Sequence, residues 1–224
     1  MEPTGITQET SVTAALSTER LAPYLRAMNG DHVKALELYE WNLVVSSAFF
    51  EMLAVLEVVL RNALSERLAL RHGSLPGHWY ENTLETFSAQ ASRDIVEARR
   101  RVALRHHRES SGRVVAELNF GFWKFLLAKR YEATLWTHCL RHAFPHLGPQ
   151  SRAIVYGALD ELHALRNRIA HHEPIHARDL SADVLTISRV LGWIDPHVRD
   201  WALGISRVVP LISVRPSSPR RLKH

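Results

Sequence analysis

Ala158-Leu159-Asp160-Glu161-Leu162-His163-Ala164-Leu165-Arg166-Asn167-Arg168-Ile169-Ala170-His171-His172 decides the fold class of this chain. At 100° per residue, Ala158, Leu162, Leu165 and Ile169 fall on one side at three- and four-residue spacings. That is the buried seam of an amphipathic helix running from about Ser151 to His172. Asp160, His163, Asn167 and His171 fall on the opposite side. Pro174 disfavours helical geometry at Glu173, so the helix is expected to end near His171.

The same pattern repeats along the chain. Ser17 caps a short helix to Met28, which Asn29-Gly30 ends. Asp31 caps a very long one that runs to about His72, where Gly73 and Pro76 stop it, with a bend expected near Ser46-Ser47. Further helices are expected over Glu85–Arg108, Phe120–Leu127, Tyr131–Phe144, Ala177–Trp193 and Pro196–Leu211. No stretch alternates apolar and polar residues between turn signals, so the fold class is all-α with no sheet. Residues 1–16 read as a flexible leader, 17–213 as one helical domain, and 214–224 as a basic flexible tail.

The longest apolar run is Leu43 to Leu60. It just reaches the length of a membrane span, but Glu51 and Glu57 lie inside it, and a buried core helix is the better reading. Glu57 and Arg61, four apart, are in the order that favours an intrahelical ion pair. With 224 residues and 46% hydrophobic content, the chain is long and apolar enough for a folded domain. A single cysteine, Cys139, excludes an intrachain disulfide. The start, Met1-Glu2-Pro3-Thr4-Gly5, lacks the pattern of a signal peptide, and a cytoplasmic protein is expected. A net charge of +5 favours an anionic partner.

Chemistry is concentrated at the end of the motif helix. Arg166 brings a planar fork of donors suited to a phosphate, and His171 brings a group that moves protons near neutral pH. Asn167 is four residues from His171 and is its neighbour on the helix. Arg166 and His171, however, are about 140° apart on a regular helix. Arginine's reach, the helix ending, or a second subunit has to reconcile them. The structural alternative pairs Arg166 with Glu161 or Glu173 and leaves His171 as a cap.

Other constellations are weaker. His138, Cys139 and His142 lack the further ligands of a zinc site, and no cofactor motif is present. Arg99-Arg100-Arg101 and His106-His107-Arg108 read as a solvated face that is also able to follow an RNA backbone. Phe120, Phe122, Trp123 and Phe125 read as core.

Arg166-Asn167 with His171 resembles the signature of the HEPN superfamily, in particular its Abi-like (abortive-infection) proteins. Two further blocks look like other segments of the Abi-like family: Leu38-Tyr39-Glu40-Trp41-Asn42 followed by Leu56-Glu57-Val58-Val59-Leu60-Arg61-Asn62, and Val114-Val115-Ala116-Glu117-Leu118-Asn119-Phe120-Gly121-Phe122-Trp123. Together the blocks span about residues 20 to 195. The resemblance implies a HEPN-type helical bundle with additional helices. It also implies a metal-independent endoribonuclease, acting as a toxin or in phage defence and leaving 2′,3′-cyclic phosphate ends. Arg166, Asn167 and His171 would be its catalytic residues, with His172, Glu173, Glu57, Arg61 and Asn62 in support. RNA, a second copy of the chain and an antitoxin protein are the partners it implies, with no cofactor and no membrane. The alternative is a catalytically silent helical module that binds RNA or a partner protein.

Overall fold

The computed structural model describes residues 8–81, 87–105, 109–149 and 151–217, with the side chains of 8–10 left aside. Among the described residues ten α-helices follow in order: α1 (Gln8–Leu16), α2 (Thr18–Ala27), α3 (His32–His72), α4 (Ala89–Leu104), α5 (Ser111–Glu117), α6 (Phe120–Phe125), α7 (Arg152–Ala170), α8 (Leu180–Ile194), α9 (Pro196–Ile205) and α10 (Val208–Ser213). There is no strand among the described residues, and the all-α class stands.

The bundle is organised around α3. Its 41 residues span about 60 Å and run without interruption through Ser46-Ser47. Asp31 accepts the Lys34 N–H at its start, and Gly73, at φ 63°, ends it in a conformation that costs glycine little. Leu38, Val45, Phe49, Leu56, Leu60, Leu64 and Leu68 form its buried seam. Against it pack α2, α6, α7, α8 and α10. The Trp41 indole N–H donates to the Leu211 carbonyl at 2.7 Å and ties α10 to the same helix. By length and composition α3 is able to cross a membrane. Here it is the shared core wall of the bundle, although Leu43, Val44, Phe50 and Val58 remain 41–49% exposed.

Several sequence expectations are corrected. Part of the expected leader is helical, as α1. The expected helix over Tyr131–Phe144 is instead a 3₁₀ turn at Lys129–Tyr131, a π turn at Glu132–Trp136 and a 3₁₀ turn at Leu140–Ala143. The Thr137 N–H reaches back five residues to the Glu132 carbonyl, and Cys139 leaves helical geometry at φ −145°. The last expected helix is broken at Ser206-Arg207 into α9 and α10. The third helix is described only over α4, and 82–86 and 106–108 lie outside the described residues, as does most of the basic tail. α5 was not anticipated.

The arginine run of α4 is engaged with carboxylates. Arg99 meets Glu81 and Glu109 at 2.9 Å each, and Arg100 and Arg101 share Glu97 at 2.7 and 3.1 Å. Phe120, Phe122 and Trp123 are core, as expected, but Phe125 is 51% exposed. Cys139 is buried, and His138 and His142 lie at the surface.

One polar residue interrupts the apolar seam of α3. Asn42 is 3% exposed, and its Oδ1 accepts the backbone N–H groups of Ile175 and His176 at 2.9 and 3.1 Å. Those two residues follow the motif helix, so one side chain docks the end of α7 on α3. Asn42→Ala would orphan both N–H groups, at a cost of about 1–3 kcal/mol each. A thermal melt should show a loss of several degrees, and an unchanged melting temperature would show that the docking is dispensable.

Candidate functional site

The local structure of the site follows from how α7 stops. His171 caps the helix and its N–H bonds to the Asn167 carbonyl. His172 then turns to φ 57°, its N–H bonds to the Ile169 carbonyl, and the Glu173 N–H bonds to the Arg168 carbonyl. This is a Schellman ending, in which the left-handed position usually belongs to glycine. A histidine there costs about 1–2 kcal/mol relative to ordinary backbone. The strain is held from outside. The Arg20 guanidinium of α2 donates to the His172 carbonyl at 2.5 Å, and Asn42 grips the two residues after Pro174.

Beside this ending is an open cleft of about 740 Å³. α3 contributes Tyr39, Ser46 and Phe50, α2 contributes Arg20 and Tyr24, and α7 contributes Arg166, with His172 and Glu173 just beyond it. The Arg166 Nε and the Ser46 Oγ are both buried without a hydrogen-bond partner. Glu173 lies 3.8 Å from Arg168 Nε, and Glu161 acts on Arg178, so neither carboxylate claims Arg166. Arg166 thus brings its positive charge to a cleft that Glu173 also lines, with no ion pair to it among the described residues. Burial pushes the Tyr24 hydroxyl up to about 12, with Tyr39 adding to the effect, so at neutral pH it faces the cleft as a donor.

The sequence motif is split between two surfaces. Arg166 and His172 line the cleft, whereas His171 is exposed and does not. The large angle between Arg166 and His171 persists, and the residue that joins Arg166 is the next one along, displaced by the left-handed turn. Asn167 faces away from the cleft, toward His163. Glu57, Arg61 and Asn62 do not line the cleft; Glu57 begins about 10 Å further along α3 than Phe50. No ion pair joins Glu57 to Arg61 among the described residues, and the Arg61 Nε is buried without a partner.

The face carrying Asn167 holds a polar chain that the sequence did not disclose. Lys124 of α6 is 4% exposed, and its Nζ donates to Asp160 Oδ1 at 2.7 Å and to His163 Nδ1 at 3.2 Å. An ammonium has only donors, so Nδ1 must accept and neutral His163 carries its proton on Nε2. Asn167 lies 3.4 Å from that Nε2, so its amide serves best with the oxygen turned inward. The His163 ring stacks on Phe120 at 5.8 Å. Of the residues in this chain and in the cleft, His163 was visible in sequence only as a polar-face position, and Lys124, Arg20, Ser46 and Phe50 gave no signal. Asn42 stood only at the end of the Leu38–Asn42 block, just before the apolar run that begins at Leu43.

No protein-family model, curated protein or solved structure matches this chain. The geometry above is therefore what bears on its function.

Burial, then the Lys124 and Arg166 cations, hold His163 below its ordinary value of 6.5. The unfolded chain binds the proton first as pH falls. The stability linked to this group is present above about pH 6.5 and is lost as pH drops through the lower, folded value. Lys124→Met removes one of the two cations, so NMR titration of the imidazole should show His163 moving up toward 6.5. An unmoved titration would remove Lys124 as a cause.

Proposed function

We propose that this chain is a HEPN-type endoribonuclease that cuts RNA in the Arg166 cleft, acting as a toxin or phage-defence effector. The observation that carries the reading is that Arg166, whose Nε has no partner, lines one cleft with His172. A phosphodiester supplies a negative charge for Arg166. The RNA 2′-hydroxyl attacks the adjacent phosphorus, its oxygen–phosphorus bond forms, and the bond to the 5′-oxygen breaks. The proton lost by the 2′-oxygen is balanced by one gained at the leaving 5′-oxygen, and the product ends in a 2′,3′-cyclic phosphate. Arg166 stabilises the charge that grows on the non-bridging oxygens. His172, which lines the same cleft, is the proposed proton-transfer group, with Asn167 and His171 acting from the adjoining face. RNA carries its own nucleophile, so the cut is proposed to need no metal ion.

The purified protein should cleave RNA in EDTA. Because His172 sits at φ 57°, His172→Gly removes the imidazole while relieving backbone strain. Cleavage should fall on the order of a hundredfold or more, with the melting temperature equal or higher. His171→Ala run beside it assigns the role: a greater loss there, with His172→Gly active, would return the chemistry to His171. An absolute requirement for a divalent ion would overturn the mechanism.

The same reading includes a homodimer. Val44 and Val58 leave apolar surface on α3 outside the cleft, of the kind that a second copy covers. Light scattering should give twice the 25.5 kDa chain mass, and a fully active monomer would reject the pairing.

A further inference from the structure

We propose that a second pocket, where the start of α4 meets α6 and α7, binds a small aromatic carboxylate that carries a hydroxyl or amino donor at its other end. The pocket holds about 320 Å³ and shares no lining residue with the Arg166 cleft, so the proposal does not rest on the ribonuclease reading. Phe122 and Phe125 of α6, Tyr131 of the following 3₁₀ turn and Tyr156 of α7 contribute four rings. Phe122 and Tyr131 are 2% and 4% exposed, so their positions are fixed by packing, whereas Phe125 is 51% exposed. Rings gathered from three segments make an apolar site suited to a flat ring. The volume is at the low end of small-ligand pockets, about 300–1,000 Å³, which is room for a ligand of a single ring.

Three polar groups set the chemistry of the occupant. Arg130 lines the pocket, is exposed, and has no ion pair among the described residues. The buried Tyr131 hydroxyl next to it in sequence accepts the Ser88 N–H at 2.8 Å, and its own proton has no acceptor among the described residues. Both groups are donors, so the ligand brings an acceptor, and the Arg130 charge favours a carboxylate. A cation is disfavoured, although clustered aromatic rings often take one. Lys124 Nζ already lies 4.4 Å from the centre of the Phe125 ring and 5.7 Å from that of Tyr156, and the Arg152 guanidinium lies 5.9 Å from the latter. Asp94 lines the pocket about 9 Å further along α4 than Ser88. Its Oδ1 accepts from the Gln90 amide at 2.8 Å, and its other oxygen has no partner among the described residues. A carboxylate only accepts, so this end of the ligand brings a donor. One ring with a carboxylate at one end and a hydroxyl or amine at the other serves all three groups.

The test is calorimetric titration of the full chain with 4-hydroxybenzoate, 4-hydroxyphenylacetate, benzoate and tyramine. At least one of the two hydroxylated acids should bind, one per chain. Benzoate, without the donor for Asp94, should bind more weakly, and tyramine, which carries an ammonium in place of the carboxylate, should bind at least tenfold more weakly. Arg130→Ala and Tyr131→Phe should each weaken the acid by about tenfold, the low end of what a hydrogen bond to a charged group contributes. Arg130 is exposed, so its variant tests the pocket even where loss of the Tyr131 hydroxyl loosens the start of α4. Arg166→Ala should leave the affinity unchanged. No binding of either hydroxylated acid, tyramine binding as well as the acids, or an unchanged Arg130→Ala affinity overturns the proposal. So does binding that Arg166→Ala abolishes and Arg130→Ala spares, because the acid then sits in the other cleft.

Discussion

The hydrogen bonds from Ile175 and His176 to the Asn42 amide are the constraint on which the site depends. An amide buried at 3% exposure in the apolar seam of α3 is costly unless both partners are present. With them present, the chain after α7 has one place to lie. That placement carries Pro174 and His172 with it, and Arg20 then closes over the His172 carbonyl from α2. The consecutive helices α2 and α3 are joined at one point to the distant α7, and the cleft is the space left between them.

The cost of this arrangement is carried by the backbone at His172. Glycine would take the left-handed turn more easily, yet a histidine occupies it and faces the cleft. Strain of this kind persists where neighbouring contacts over-determine it, and here Arg20 and Asn42 do so from both sides. The unpaired Arg166 nearby is a second departure from what stability alone would choose, since a buried guanidinium nitrogen is normally satisfied. Both departures fall in one cleft, which is why the functional reading is placed there and not on the arginines of α4, whose charges are matched by Glu81, Glu97 and Glu109.

The Lys124–His163–Asn167 chain occupies the other polar face of α7. Lys124 places a donor against His163 and so sets the tautomer of a ring that burial already keeps neutral. Asn167 is held at the end of that chain, away from Arg166, although the two are adjacent in sequence. Adjacent residues on a helix diverge by 100°, and a linear motif does not show which surface each member serves.

The sequence by itself determined the helical class, the bounds of α3 and α7, and the concentration of chemistry at the end of α7. These follow from local physics: the apolar period, the cap at Asp31, the stop at Gly73, and the exclusion of helix before Pro174. It also put Arg166 and His171 about 140° apart on a regular helix, and in the structure Arg166 lines the cleft and His171 does not. Only the tertiary structure decided that His172 joins Arg166, because a left-handed turn on a non-glycine residue is selected by contacts from α2 and α3. The same holds for Arg20, Ser46 and Phe50, which no local pattern marks. The division of Tyr131–Phe144 into short 3₁₀ and π turns was likewise out of reach, since their geometry is set by packing and not by the period of the sequence. Local sequence specifies which segments are helical; the few contacts between distant segments decide which side chains share a cleft.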